Sequence, residues 1–162
     1  LALRASRNGE AVDITASATL SVPTETAWRV LTAYDRYASF IPDMDSSRVL
    51  SREGARAVVE QRGSARWLWM SQPVVVQFSV FESPPSLVVS KLISGTIRDM
   101  QGRYELVRDA DRVKLLYSGR IVPDDTNVGY FDLLAVRANA SRQFSALVEE
   151  IERAGRGEER AR

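Results

Sequence analysis

NVGYFDLLAVRANASRQFSALVEEIER, residues 127–153, places apolar or small side chains at Phe131, Leu134, Ala135, Ala138, Ser141, Phe144, Ser145, Val148 and Ile151. That three-and-four spacing marks one face of a helix, while Asp132, Arg137, Arg142, Glu149, Glu150 and Arg153 populate the other. At 1.5 Å per residue such a helix runs roughly 40 Å, enough to cross a whole curved sheet. Almost everything before it alternates with the period of strands, so the architecture predicted is one long helix against one large sheet. Ala135, Ala138 and Ser141 stand where a tightly packed core would carry leucine. Small side chains beneath a sheet leave space, and space there is a cavity.

The totals narrow the chemistry. A chain of 162 residues, 44% hydrophobic and 27% charged, has the size and composition of one globular domain. Twenty-two basic against 21 acidic residues leave a net charge of +1 without clustering, which argues against nucleic-acid binding. No stretch reaches the 18 or so apolar residues of a membrane span. With neither cysteine nor histidine, disulfides, thiolate or imidazole zinc sites, cysteine nucleophiles and Ser-His-Asp triads are excluded. Only oxygen ligands remain for a metal, and the Asp43/Asp45 and Asp124/Asp125 pairs read more simply as turn and cap residues, so neither a tight metal site nor a cofactor is expected. The chain starts at Leu1 rather than Met, as a cleaved export signal or a trimmed N-terminus would leave it.

Upstream of the helix, residues 1–9 read as a mobile polar lead-in and the Gly/Glu/Arg-rich residues after Ala154 as a solvated tail, which leaves one domain over 1–162 with its globular part at about 10–154. Residues 10–22 alternate as a first strand. Pro23-Thr24-Glu25 opens a short helix with Thr24 as its cap, and Tyr37, Phe40 and Ile41 lie at helical spacing in a second one ended by Pro42. Strands follow at 47–52, 55–70, 72–82, 87–94, 96–108 and 112–122, separated by turn residues such as Glu53-Gly54 and Ser83-Pro84-Pro85-Ser86. Strand, two helices, six strands and a long helix make an α+β layout with a seven-stranded antiparallel sheet.

Four stretches in this order, TETAWRVLTAYDRYASFIPDM (24–44), GTIRDMQGRYEL (95–106), VKLLYSGRIVP (113–123) and AVRANASRQFSALVEEIE (135–152), resemble the helix-grip superfamily of START-like, polyketide cyclase/dehydrase-like and coenzyme-Q-binding domains. The resemblance covers residues 10–154 and implies a seven-stranded sheet curved around the C-terminal helix, with a ligand cavity between them. It does not single out a ligand, because one fold carries many functions. Bacterial members nearest in pattern resemble exported proteins, which points to the periplasm rather than the cytoplasm.

Strand parity sorts the candidate lining without an alignment. In strand 96–108, Asp99, Gln101, Arg103 and Glu105 share one face, which turns Arg98, Met100, Gly102, Tyr104 and Leu106 inward. In 112–122 the inward set is Val113, Leu115, Tyr117, Gly119 and Ile121; in 55–70 it includes Gln61, Ala65, Trp67 and Trp69; in 72–82 it is Val74, Val76, Phe78 and Val80. Tyr34, Tyr37 and Phe40 cover one end as a lid. Gly102 and Gly119 cost roughly 0.5–1 kcal/mol each inside strands, so either the sheet bends there or a ligand needs the room. Arg98 either snorkels to the rim or anchors a carboxylate, phosphate or quinone oxygen, and Tyr104 and Tyr117 are either core tyrosines or phenolic donors. The Trp67–Met70 edge carries apolar groups on both faces, suited to a lid, a protein or membrane contact, or a local core.

Three functions fit: a binder or carrier of a lipid, quinone or polyketide-like molecule; a cyclase or dehydratase; and an accessory protein acting through the Trp67–Met70 edge. The residues favour the first, because no histidine and no confidently inward carboxylate supplies an acid–base pair.

Overall fold

Alternation of apolar and polar side chains turns one face of each strand inward, and the strands' continuous order in the chain pairs them as neighbours. In this computed structural model, which describes residues 1–67, 69–124 and 132–162, the elements are β1 (Ala2–Asn8), β2 (Ala11–Leu20), α1 (Thr24–Leu31), a 3₁₀ turn (Tyr34–Ser39), β3 (Met44–Glu53), β4 (Arg56–Trp67), β5 (Met70–Ser83), β6 (Leu87–Gly95), β7 (Asp99–Asp109), β8 (Arg112–Val122) and α2 (Leu133–Ala161). The strands form one antiparallel sheet ordered β1-β2-β8-β7-β6-β5-β4-β3. The hairpins from β3 to β8 run sequentially, and β8 returns to pair with β2. α1 and the 3₁₀ turn therefore carry the chain from β2 to the opposite edge at β3.

The fold is the expected α+β helix-grip arrangement, but the sheet has eight strands, not seven. Residues 2–8, expected to be a mobile lead-in, pair with β2 from Ala2↔Ser17 to Asn8↔Ala11. The alternation that marks a buried strand is weak there because only Leu3 and Ala5 turn inward and pack against the core. The C-terminal tail is a second correction: α2 continues to Ala161. Gly155 is buried where any Cβ would overlap Val22, and beyond it Glu158 accepts from Thr26 Oγ1 and pairs with Arg29 of α1. A composition typical of solvated tails is thus held by side-chain contacts to the first helix.

Fully buried Val12, Leu20, Val59 and Leu115 from the sheet meet Leu31 of α1 and Leu147 and Ile151 of α2. Each contributes roughly 1.5–3 kcal/mol by leaving water. Register shifts at Met44/Ser46 and Val49/Ser51 in the β3–β4 pair and at Gln77/Phe78 in the β5–β6 pair are bulges, the device by which a sheet bends around a helix. Asp132 caps α2, its Oδ1 accepting from Ala135 N at 2.9 Å. Thr24, expected to cap α1, sits inside it with a buried hydroxyl that has no partner among the described residues, and Pro23 takes the cap position.

Candidate functional site: a cavity between the sheet and α2

Between the concave face of the sheet and the first half of α2 lies an open-ended cavity of about 170 Å³. Its floor comes from the central strands, with Val76 and Phe78 of β5, Met100 and Tyr104 of β7, and Tyr117 and Ile121 of β8. Ile14 of β2 and Leu3 of β1 form one side, and Gln61, Gly63, Ser64 and Ala65 of β4 the other. The roof is α2, through Val136, Asn139, Ala140, Gln143 and Phe144. Strand parity predicts Val76, Phe78, Met100, Tyr104 and Tyr117 on this surface, and the structure brings those five together.

The α2 face turned to the cavity is not the one expected. Leu134 is 60% exposed, Ala138 is exposed, Ser141 is half-buried off the cavity wall, and Ala135 is buried elsewhere. The inward stripe runs Val136, Ala140, Phe144, Leu147 and Ile151, about one residue round the helix. Alanines occur on every side of α2, so small residues carry little phase, and Val136 and Leu147 were the signal that fixes it. The chain's Phe131 and the Trp67 side chain lie outside the described residues. Trp69, at the tip of the β4–β5 hairpin, is 87% exposed and does not line the cavity.

Arg98 is a further correction. Residues 96–98 bend before β7 begins at Asp99, so parity cannot be extended back through them. Ile97 is the residue buried against the cavity, whereas Arg98 points to water and pairs with Glu10 at 2.7 Å. Tyr34, Tyr37 and Phe40 do not line the cavity either. They stack edge to face with centroids 5.8 and 5.5 Å apart and pack in and against the core. Tyr34 donates to Glu82 Oε2 at 2.6 Å, Glu82 is forked by Arg52 at 3.1 and 3.3 Å, and Tyr37 donates to Leu31 O. Burial drives both phenols well above the ordinary tyrosine range, with Glu82 raising them further.

Gly102 and Gly119 face each other across β7 and β8, next to the Tyr104↔Tyr117 pair. The room they leave is taken by Tyr117, whose ring lies flat along the sheet: a Cβ on Gly119 would overlap its hydroxyl, and one on Gly102 would sit 3.2 Å from its Cε2. The two tyrosine rings are 4.7 Å apart, tilted by 38°. Burial pushes Tyr117 up to about 12 and Tyr104 well above the usual range, so both remain protonated donors at neutral pH.

The opposite wall holds a polar ring that sequence reasoning missed. Asp43 is at φ +61°, and its carbonyl accepts from Ser64 N at 2.9 Å. Its carboxylate meets Arg66 Nε at 2.8 Å and Arg142 Nη2 at 3.1 Å. Arg142 also donates to Asn139 Oδ1 at 2.6 Å, and Asn139 Nδ2 donates back to Arg66 O at 3.0 Å. Asp43 and Asn139 line the cavity while the two guanidiniums reach solvent, so the ring spans the boundary between cavity and water. Its members come from a loop, a strand and a helix far apart in sequence, which no single-segment pattern reveals. Among the described residues no helix is long and apolar enough to cross a membrane, and no cluster of metal-ligating side chains occurs.

The profile of the family described as "Polyketide cyclase / dehydrase and lipid transport" matches residues 20–125. No curated protein matches the chain by sequence. Among solved structures, the Zhui aromatase/cyclase from Streptomyces sp. R1128 superposes with a TM-score of 0.73 at 17% identity, over 88% of this chain and 94% of its own. The STAR-related lipid transfer protein from Xanthomonas axonopodis gives 0.69 at 14% identity over 92% of both chains. A START superfamily protein from Mycobacterium smegmatis gives 0.69 at 12% identity, over 90% of this chain and 97% of that one. At these identities the likeness is one of fold.

Proposed function

Because the chain belongs to the polyketide cyclase/dehydrase and lipid-transport family, we propose that it binds a hydrophobic small molecule between its sheet and α2. The observation that carries this reading is the cavity itself, whose volume of about 170 Å³ matches or exceeds the roughly 150 Å³ at which a dry apolar cavity takes up benzene. Carriage rather than turnover fits the ionisable groups present. Acid–base catalysis at neutral pH needs a group that titrates nearby. Tyr104 and Tyr117 are pushed away from that range, and both carboxylate oxygens of Asp43 are engaged by guanidiniums. The family description and the aromatase/cyclase neighbour favour a second reading, a cyclase acting on a polyketide-like substrate.

Ala140 lines the cavity and Ala138, two residues away, is exposed, so the pair makes an internal control. Ala140→Phe is expected to abolish uptake of an apolar fluorescent probe, and Ala138→Phe to leave it unchanged, with both variants folded by circular dichroism. Equal binding in the two would end the cavity reading. Conversion of a bound polyketide-like compound, followed by mass spectrometry, would replace carrier by cyclase.

A further inference from the structure

The cavity floor carries two phenol groups that none of the described residues uses. Tyr34 and Tyr37 each donate to a protein oxygen. Among the described residues the hydroxyls of Tyr104 and Tyr117 have no hydrogen-bond partner, although both side chains line the cavity. Both rings are half-buried and their hydroxyls open onto the cavity, so the two donors are available to an acceptor that enters it. Nor is Tyr117 where it is by default. Gly119 is needed to let its ring lie flat on the sheet, Gly102, directly paired across β7 and β8, eases the fit, and its hydroxyl falls over them rather than pointing to a protein acceptor. The strand pairing puts Tyr104 directly opposite, with its ring 4.7 Å away.

We propose that Tyr104 and Tyr117 form a paired-donor subsite for a carbonyl oxygen, and that the ligand is an apolar ring compound bearing a ketone or quinone group on the end that reaches the cavity floor. This rests on the cavity-binding reading and specifies it. Two neutral donors beside Phe78, Met100 and Ile121 suit an uncharged acceptor on an otherwise apolar body. Among the described residues a carboxylate or phosphate there would find no uncommitted cation: Arg62, which lines the cavity, pairs with Glu60, Arg66 and Arg142 are committed to Asp43, and Arg98 is at the rim with Glu10. Both phenols stay protonated at neutral pH, so the donors persist.

The test uses two probes of nearly equal shape, 2-acetylnaphthalene and 2-ethylnaphthalene, titrated into wild type, Tyr104→Phe and Tyr117→Phe. Each variant is expected to bind the ketone about three- to tenfold more weakly, the worth of one hydrogen bond, and the hydrocarbon unchanged. In the wild type alone, the infrared carbonyl stretch of the bound ketone should fall below its value in hexane, and each substitution should reverse part of that shift. Loss of affinity for both probes alike, or for neither, together with an unshifted carbonyl band, would overturn the subsite while leaving the cavity reading intact. If the hydrocarbon itself fails to bind the wild type, the cavity reading falls and takes the subsite with it.

Discussion

Gly119 shows how one missing side chain organises its neighbours. A Cβ there would overlap the Tyr117 hydroxyl, so alanine can enter only if the ring leaves its seat. Backbone preference alone favours alanine over glycine in a strand by roughly 0.5–1 kcal/mol. Gly119→Ala is nonetheless expected to cost about 1–3 kcal/mol, the range of an overpacked site, and the same change in a Tyr117→Ala background to become neutral or stabilising. Chemical denaturation of the four proteins in this cycle checks the sign reversal; the same cost in both backgrounds would mean that the ring does not hold the seat. At Gly102 the contacts are 3.2 Å or longer, so Gly102→Ala should cost less. The sequence marks both glycines as costly inside strands, but a bend and a ligand were the reasons it offered. The occupant is the side chain two residues back on the same face, a lean along the strand that parity does not encode. Arg98 shows the complementary limit: parity holds from Asp99 to Leu106 and fails one residue earlier, where the backbone bends.

At the scale of elements, α2 was legible as a long helix over the sheet, and its position in the fold follows from its length alone. Its phase and its end were not. Phase is set by the few large side chains among many alanines, and the end is decided by partners elsewhere, Val22 at Gly155 and Thr26 and Arg29 at Glu158. Those partners make a pH-dependent contact. The Thr26 hydroxyl bond, then the Arg29 guanidinium, hold Glu158 below its ordinary value of 4.5. A carboxyl whose folded pKa is lowered adds stability above its unfolded pKa and loses it as pH falls through the folded one. Glu158→Gln should therefore lower Tm at pH 7, with the gap to wild type closing as pH falls below the ordinary glutamate value of 4.5 and the wild-type carboxylate is protonated. A gap that persists unchanged down to the lowest pH at which both proteins stay folded would show that Glu158 acts by packing rather than by charge.

For the whole molecule, the sheet, its hairpins and its closing helix could be read from alternation and turn residues, because each hairpin is a local event. The eighth strand could not, since β1 alternates weakly and gains its place only by pairing with β2 beneath α2. The polar ring is non-local in the same way: Asp43, Arg66, Asn139 and Arg142 tie the loop before β3, β4 itself and α2 together at the cavity's edge. Those walls must separate, or stay fixed, whenever a ligand passes. Asp43→Asn keeps a residue tolerant of positive φ and keeps the carbonyl that accepts from Ser64, yet it removes both ion pairs. With Arg66 64% and Arg142 43% exposed, the stability lost should stay under about 1 kcal/mol. Dissociation of a bound apolar probe, followed by stopped-flow fluorescence, should instead quicken about fivefold. Raising salt should speed release from the wild type and leave Asp43→Asn unmoved, because screening weakens only the charges that the variant lacks. Equal dissociation rates at every salt concentration would mean that ligands leave by a route that never parts these three walls.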